Sequence, residues 1–492
     1  MLAIRKRAVV KASPRHKWYA LALLCTVQFM VVLDIAVVNV ALPSIQTDLG
    51  FSQENLQWVI SAYALLFGGF LLLGGRAADL LGRRRVFMVG IVVFSIASLL
   101  SGFAWSEGAL IGARATQGLG AAIISPAALS ILMTTFAEGP ERNTALGAWG
   151  AVGAFGAVAG VLLGGVLTDL LSWQWIFYIN APVGVLAFVL APMLLDESRD
   201  ATARGFDLPG AALVTGGLVT LVYAITQANQ YGWGSAETFG LFAASLVLLA
   251  GFVTWEARSS DPLMPLSIFR LRTLVGANIA GLILGTVLFS MFLMLTLYMQ
   301  QVLGYSPLKT GFAYLAVAGT AIVWSAVAAQ LVTRVGVKPV LVTGMAFLTA
   351  GIAFFTQVSP DGSYVSDLLP GFLVIAVGMG FSFVPISIAA LAGVKASEAG
   401  LASGLINTSQ QVGGALGIAA LSAIATTTTA DKFASGAAKA TALTDGFQAA
   451  FTAGAAVGIV GILVALFVVR GRDITTEPAT VPAGAEPALE AA

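Results

Sequence analysis

The chain has 492 residues, 58% of them hydrophobic and 10% charged, where a soluble domain carries roughly 25% charged residues. A net charge of +1 gives no field to draw nucleic acid, one cysteine (Cys25) excludes an internal disulfide or a thiolate metal site, and one histidine (His16) all but removes histidine-based catalysis. Apolar runs of about 18 residues or more recur along the chain, which points to a bilayer and not to a large soluble core.

The chain opens with Arg5, Lys6, Arg7, Lys11, Arg15 and Lys17, a basic tail over 1–17. His16 reads as a basic residue at the membrane edge. The apolar run after it is too long for a signal-peptide core and lacks a small-residue cleavage site, so it is read as a retained first span. Fourteen transmembrane helices are predicted, near 18–43, 56–78, 86–104, 108–136, 144–168, 174–195, 208–228, 238–256, 273–302, 308–333, 339–358, 367–391, 400–426 and 447–469. Barrel strands would be about ten residues long with alternating polarity. These runs are about twice that length and uniformly apolar.

The first six spans form an N-terminal bundle over 18–197. A charged connection follows, with Asp196, Glu197, Arg199, Asp200, Arg204 and Asp207. Two additional helices occupy 198–260, and the last six form a C-terminal bundle over 261–472. The stretch 473–492, rich in Ala, Pro, Glu and Thr, has too little apolar surface to fold and reads as a disordered cytoplasmic tail.

Basic residues orient the spans, because cytoplasmic loops collect Lys and Arg. With a cytoplasmic N-terminus, all 25 basic residues fall in the tails or even-numbered connections except Lys309, Lys432, Lys439 and the intramembrane Arg114. Shifting the count by one span destroys this partition, so both termini are expected in the cytoplasm.

Two connections resemble each other. One runs from Gly74 through Gly82, Arg84 and Val86 to Gly90; the other runs from Ala328 through Gly336, Lys338 and Val340 to Gly344. The match makes spans 9–14 a repeat of spans 1–6, with spans 7 and 8 inserted. Two such halves related by an axis along the membrane normal are a transporter architecture.

Several segments then carry a specific resemblance. They are Leu33-Asp34-Ile35-Ala36-Val37-Val38-Asn39-Val40-Ala41-Leu42-Pro43 in span 1, the Gly75 to Arg85 connection, and Arg114, Gln117, Gly118 and Gly120 in span 4. To these are added Gly156 to Gly165 in span 5, Trp173 to Pro182 entering span 6, and Asn407 to Gly417 in span 13. In this order they resemble the major facilitator superfamily, in its fourteen-spanner drug:proton antiporter branch (Emr/Qac-type multidrug exporters).

The resemblance implies an all-α integral membrane fold of two six-helix bundles plus two inserted helices. It also implies a multi-pass protein of the bacterial plasma (inner) membrane, an origin that the excess of Arg over Lys suits. It further implies a latch in which Gly75, Asp79, Gly82, Arg83, Arg84 and Arg85 hold the outward-open state. The glycines Gly156, Gly160, Gly164 and Gly165 would form an antiporter motif that prevents proton leak; Val161 stands where that motif has proline. Val161 keeps its amide N–H, so a straighter helix is expected there.

Asp34 is the one carboxylate well inside a predicted span. A charge at that depth costs roughly 2.5–3.5 kcal/mol on insertion scales, and protonation relieves it. An Asp that loads and releases a proton as access alternates suits a proton antiporter. The competing reading is a carboxylate hydrogen-bonded between helices. Arg114 is the one basic residue inside a span and the candidate partner of Asp34; the competing reading is an Arg that caps backbone carbonyls.

The spacing of the span 5 glycines puts several on one face, which favours close helix packing. No Gly-rich run reads as a phosphate loop, so no cofactor is expected and the drive is a proton gradient. Gln28, Asn39, Tyr63, Tyr298, Gln301, Trp324, Phe383, Asn407 and Gln411 are polar or aromatic within spans and are candidate substrate contacts. Helix packing explains each of them equally well.

The expected function is proton-coupled efflux of a hydrophobic drug-like or antibiotic compound. The expected partners are that substrate, protons and lipid, acting on a functional monomer. The lack of further acids at depth in spans 9–14 favours neutral, monocationic or zwitterionic substrates over dications. The alternatives are a proton-coupled metabolite transporter working as an importer, a membrane enzyme or receptor, and a passive channel. The want of His, Cys and paired intramembrane carboxylates argues against chemistry.

Overall fold

The computed structural model describes residues 14–137, 140–199, 205–394 and 399–469. Arg5, Lys6, Arg7 and Lys11, Asp200 and Arg204, and the tail 473–492 lie outside the described residues. Fourteen long helices follow in order: α1 Pro14–Leu49, α2 Trp58–Leu81, α3 Arg83–Gly102, α4 Glu107–Thr135, α5 Pro140–Leu170, α6 Asn180–Leu194 and α7 Leu208–Tyr231. The others are α8 Ala236–Glu256, α9 Arg272–Leu297, α10 Pro307–Val335, α11 Val337–Phe354, α12 Leu369–Leu391, α13 Ala399–Ala434 and α14 Lys439–Phe467.

Thirteen described helical segments are long and apolar enough to cross a membrane; α5 contributes the apolar stretch Val158–Leu170 in addition. No strand occurs among the described residues. The predicted spans are therefore all present. Their ends differ: α1 and α13 run well past 18–43 and 400–426, and a short helical turn, Trp175–Tyr178, stands apart from α6.

Local sequence sets the ends. Ser106, Ser235 and Ser306 accept hydrogen bonds from the N–H groups of Ala109, Thr238 and Lys309, at 3.3, 3.1 and 3.2 Å, which caps α4, α8 and α10. Gly82 (φ +109°) ends α2 and Gly336 (φ +87°) ends α10, a backbone region that side chains rarely enter. Each donates its N–H four residues back, to Ala78 and Val332. The repeat reaches into packing: Gly90 of α3 lies against Ile124 of α4, and Gly344 of α11 lies against Phe381 of α12.

The two halves share one pattern of helix pairing. In the first, α2 and α3 pack on α4, α1 packs on α5, and α6 packs on α1 and α3. In the second, α10 and α11 pack on α12, α9 packs on α13, and α14 packs on α9 and α11. The halves meet where α5 packs on α10 and α2 packs on α13, two contacts that the pseudo-symmetry exchanges.

The inserted α7 and α8 pair with each other, and α7 leans on the α2–α13 seam. There Leu218 and Val222 join Trp58, Ala62, Leu65, Val412 and Ala415 in one apolar cluster. Two carboxylates are buried at the base of this pair, a feature their positions at helix ends had concealed. Asp207 accepts from Gly210 N at 2.8 Å, Trp255 Nε1 at 2.6 Å and Leu263 N at 3.1 Å; Glu256 accepts from Met264 N at 2.9 Å. Burial opposes ionisation of Asp207, but these donors outweigh it and hold its carboxyl below the usual aspartate range.

Candidate functional site

Asp34 sits near the middle of α1 and is fully buried. Its Oδ2 accepts from Arg114 Nη1 of α4 at 2.6 Å. Its Oδ1 accepts from Gln117 Nε2 of α4 at 2.7 Å and from Asn180 Nδ2 of α6 at 2.8 Å. Arg114 and Gln117 are three residues apart and share a face of α4. Gly118 beside them lets α4 press directly on the backbone of Tyr63 in α2.

Arg114 is equally buried, and only part of its bonding goes to Asp34. It also donates to Val59 O at 3.0 Å and to Gln117 Oε1 at 2.6 Å. Its guanidinium lies 4.4 Å from the ring centre of Tyr63 and 5.6 Å from that of Phe177. A buried cation without its counter-ion is costly unless other groups solvate it. Here two oxygens and two aromatic faces remain for Arg114 when Asp34 is neutral. Arg114 therefore keeps partners of its own apart from Asp34.

The sequence gives Gln117 and Asn180 no role beyond their motif segments, and it does not point to Ser98 of α3. Ser98 Oγ accepts from Asn180 Nδ2 at 3.0 Å and donates to Phe177 O at 2.9 Å. A lone Ser in an apolar span has no charge or periodicity signal; only the meeting of α3 with α6 reveals it.

The antiporter-motif glycines divide between two neighbours. A Cβ on Gly156 would lie 3.2 Å from Val32 Cβ, one on Gly160 would lie 2.8 Å from Leu33 O, and one on Gly164 would lie 2.7 Å from Val37 O. These three seat α5 on the turns of α1 that flank Asp34. Gly165 faces the other half, where a Cβ would lie 2.7 Å from Pro307 O of α10. The helix is unbroken through Val161.

Close to that contact, Gln300 Nε2 donates to Val40 O at 2.8 Å and Gln301 Nε2 to Gln46 Oε1 at 2.9 Å. Both glutamines lie on a π-helical turn, Tyr298–Val302, that continues α9. These contacts join the halves at the end away from the Asp79–Arg85 connection, and the α2–α13 contact adds Gly68 against Gln411 and Leu72 against Gly404. At the connection end, Val323, Trp324 and Val327 of α10 and Phe383 of α12 are exposed. Gly165→Leu is expected to wedge α5 from α10. Transport should fall to background in vesicles, while thermal unfolding of the purified protein stays within a few degrees of wild type.

The residues expected to form a latch are tied within their own half and to the connection that follows it. Arg83 Nη2 pairs with Asp79 Oδ1 at 2.8 Å. Arg84 and Arg85 approach Glu197 Oε2 at 3.8 and 3.7 Å, and Arg83 N donates to Ser198 O at 2.8 Å. Gly82 supplies the turn, and Gly75 packs against Pro126 of α4. Partly exposed pairs of this kind are worth roughly 0–1 kcal/mol each.

The nine candidate substrate contacts fall in several settings. Tyr63 belongs to the Arg114 cluster, and its buried hydroxyl has no hydrogen-bond partner; nor has Gln28 Oε1. Tyr298 is buried in the second half and donates to Ser359 O at 2.6 Å, away from any substrate contact. Gln301 belongs to the contact between halves. Asn39 and Asn407 donate to their own helices at Ile35 O and Ser403 O. Gln411 is buried against Gly68 at the α2–α13 seam. Trp324 and Phe383 are partly exposed at the Asp79–Arg85 end.

Residues 24–418 match the Major Facilitator Superfamily. The puromycin resistance protein pur8 of Streptomyces alboniger is 42% identical over 459 residues, covering 93% of this chain and 91% of that protein. The cephamycin export protein CmcT of Amycolatopsis lactamdurans is 41% identical over 406 residues, covering 82% and 84%. A bacterial homologue of the human lysosomal transporter Spinster, solved in an inward-facing and unoccupied conformation, has the same fold: TM-score 0.66, 16% identity, 94% of this chain and 99% of that one covered. The pairing pattern of the two halves and these matches over most of the chain agree: the protein is a multi-pass plasma-membrane member of the Major Facilitator Superfamily.

Proposed function

We propose that the protein exports hydrophobic drug-like or antibiotic compounds in exchange for protons, by alternating access, with Asp34 as the proton carrier. The observation that carries this reading is the buried Asp34–Arg114 pair, in which Arg114 keeps other partners when Asp34 is neutral. Export is supported by relatives named for puromycin resistance and cephamycin export. The positive-inside count supports a cytoplasmic position for the termini and the Asp79–Arg85 connection. On that orientation the partly exposed Trp324 and Phe383 lie toward the cytoplasm, the side from which an exporter loads. A proton gradient supplies the drive without a nucleotide or other cofactor, and a monomer contains the whole site.

Everted membrane vesicles test this with radiolabelled puromycin as probe. Respiring vesicles are expected to accumulate it, and an uncoupler should abolish accumulation. Uptake by right-side-out vesicles instead would make the protein an importer, and uptake indifferent to the uncoupler would remove proton coupling.

A further inference from the structure

We infer that Asn180, held in place by Ser98, is a positioning residue for the proton step and sets the pH at which Asp34 takes up its proton. This rests on the reading of Asp34 as the proton carrier.

The argument starts from hydrogens. Ser98 spends its one hydroxyl hydrogen on Phe177 O, so toward Asn180 it can only accept. That fixes the Asn180 amide: one Nδ2 hydrogen points to Ser98 Oγ and the other to Asp34 Oδ1. Asn180 is 1% exposed and Ser98 is fully buried, so water does not compete for these bonds. The amide can donate to Asp34 but is not turned to accept from it. A carboxylate is favoured by such a donor; a carboxylic acid is not.

Position adds to chemistry. Asn180 is the first residue of α6, one residue after the turn Trp175–Tyr178 that ends in Phe177 and Tyr178. Phe177 also presents its ring to Arg114. The Ser98–Phe177 bond therefore fixes both the amide that faces Asp34 and the ring that faces its counter-ion. The titratable groups turned toward Asp34 are Arg114 from α4 and Tyr63 from α2. Among the described residues, α3, α5, α6, α9 and α10 bring no titratable side chain to it. Asn180 is thus the one donor to Asp34 that comes from neither α1 nor α4, and a shift of α6 would change proton affinity without moving the Asp34–Arg114 pair.

The test is the pH dependence of carbodiimide modification of Asp34 in the full-length purified protein, read by mass spectrometry; the reagent attacks the protonated carboxyl. Asn180→Ala is expected to move the labelling midpoint to higher pH by about one unit, roughly tenfold in proton affinity. Ser98→Ala, which leaves the amide present but free to turn, should move it the same way by less, and it covers the case in which Asn180→Ala does not fold. In vesicles the pH optimum of puromycin uptake should follow the labelling midpoint. A labelling midpoint unchanged in both variants, with wild-type labelling still pH-dependent, overturns the role of Asn180 alone. Wild-type labelling with no pH dependence overturns the reading of Asp34 itself.

Discussion

Asp34→Asn is expected to abolish uphill transport while leaving a folded protein. The variant cannot carry a proton, so only downhill movement remains. For a neutral substrate and one proton, a potential of 100 mV supplies about 2.3 kcal/mol, or a concentration ratio of roughly 50-fold. That ratio should fall to unity in the variant. For a monocation exchanged against one proton the potential cancels and only the pH gradient counts, so the same measurement reports substrate charge. The fold should survive because Arg114 keeps Val59 O, Gln117 Oε1 and the rings of Tyr63 and Phe177. One amide hydrogen of the new Asn must face a donor, so a stability loss of about 1–3 kcal/mol is expected. Uphill puromycin accumulation by Asp34→Asn at the wild-type level would remove this residue from the coupling step.

Arg114→Ala should be the more damaging change to stability. It leaves Asp34 buried with two neutral amide donors and no positive charge nearby. Breaking a buried pair in this way costs about 3–5 kcal/mol. Removing the acid as well relieves the unpaired charge, so Arg114→Ala combined with Asp34→Asn should be more stable than Arg114→Ala alone. Thermal unfolding of the four proteins in detergent gives this cycle directly. A double variant whose loss equals the sum of the single losses would mean that the two side chains do not depend on each other.

The spans were legible because crossing a bilayer imposes length and apolarity on each helix separately. The repeat was legible at Gly82 and Gly336 because a positive φ selects glycine at both turns. The pairing of Asp34 with Arg114 followed from elimination, as two charges at depth need each other. What stayed hidden depends on meetings between distant helices. Ser98 and Asn180 are uncharged, and their role appears only when α3 and α6 close on Asp34. Gly165 follows Gly164 by one residue, about 100° round the helix, and only the fold shows that this turns it to α10 of the other half and not to α1. The π-helical turn Tyr298–Val302 is not announced by composition, and it carries Gln301 to Gln46 while Tyr298 bonds Ser359. Asp207 and Glu256 look like solvated helix ends until residues 263–264 fold back over them.

Proton release on substrate binding tests the coupling claim most directly. Detergent-solubilised protein in weakly buffered solution is mixed with puromycin, and the pH change is recorded by indicator dye or microelectrode. Wild type, poised at a pH where Asp34 is protonated, is expected to release about one proton per molecule, and Asp34→Asn none. Equal proton release from both proteins, with puromycin binding intact, would contradict the account.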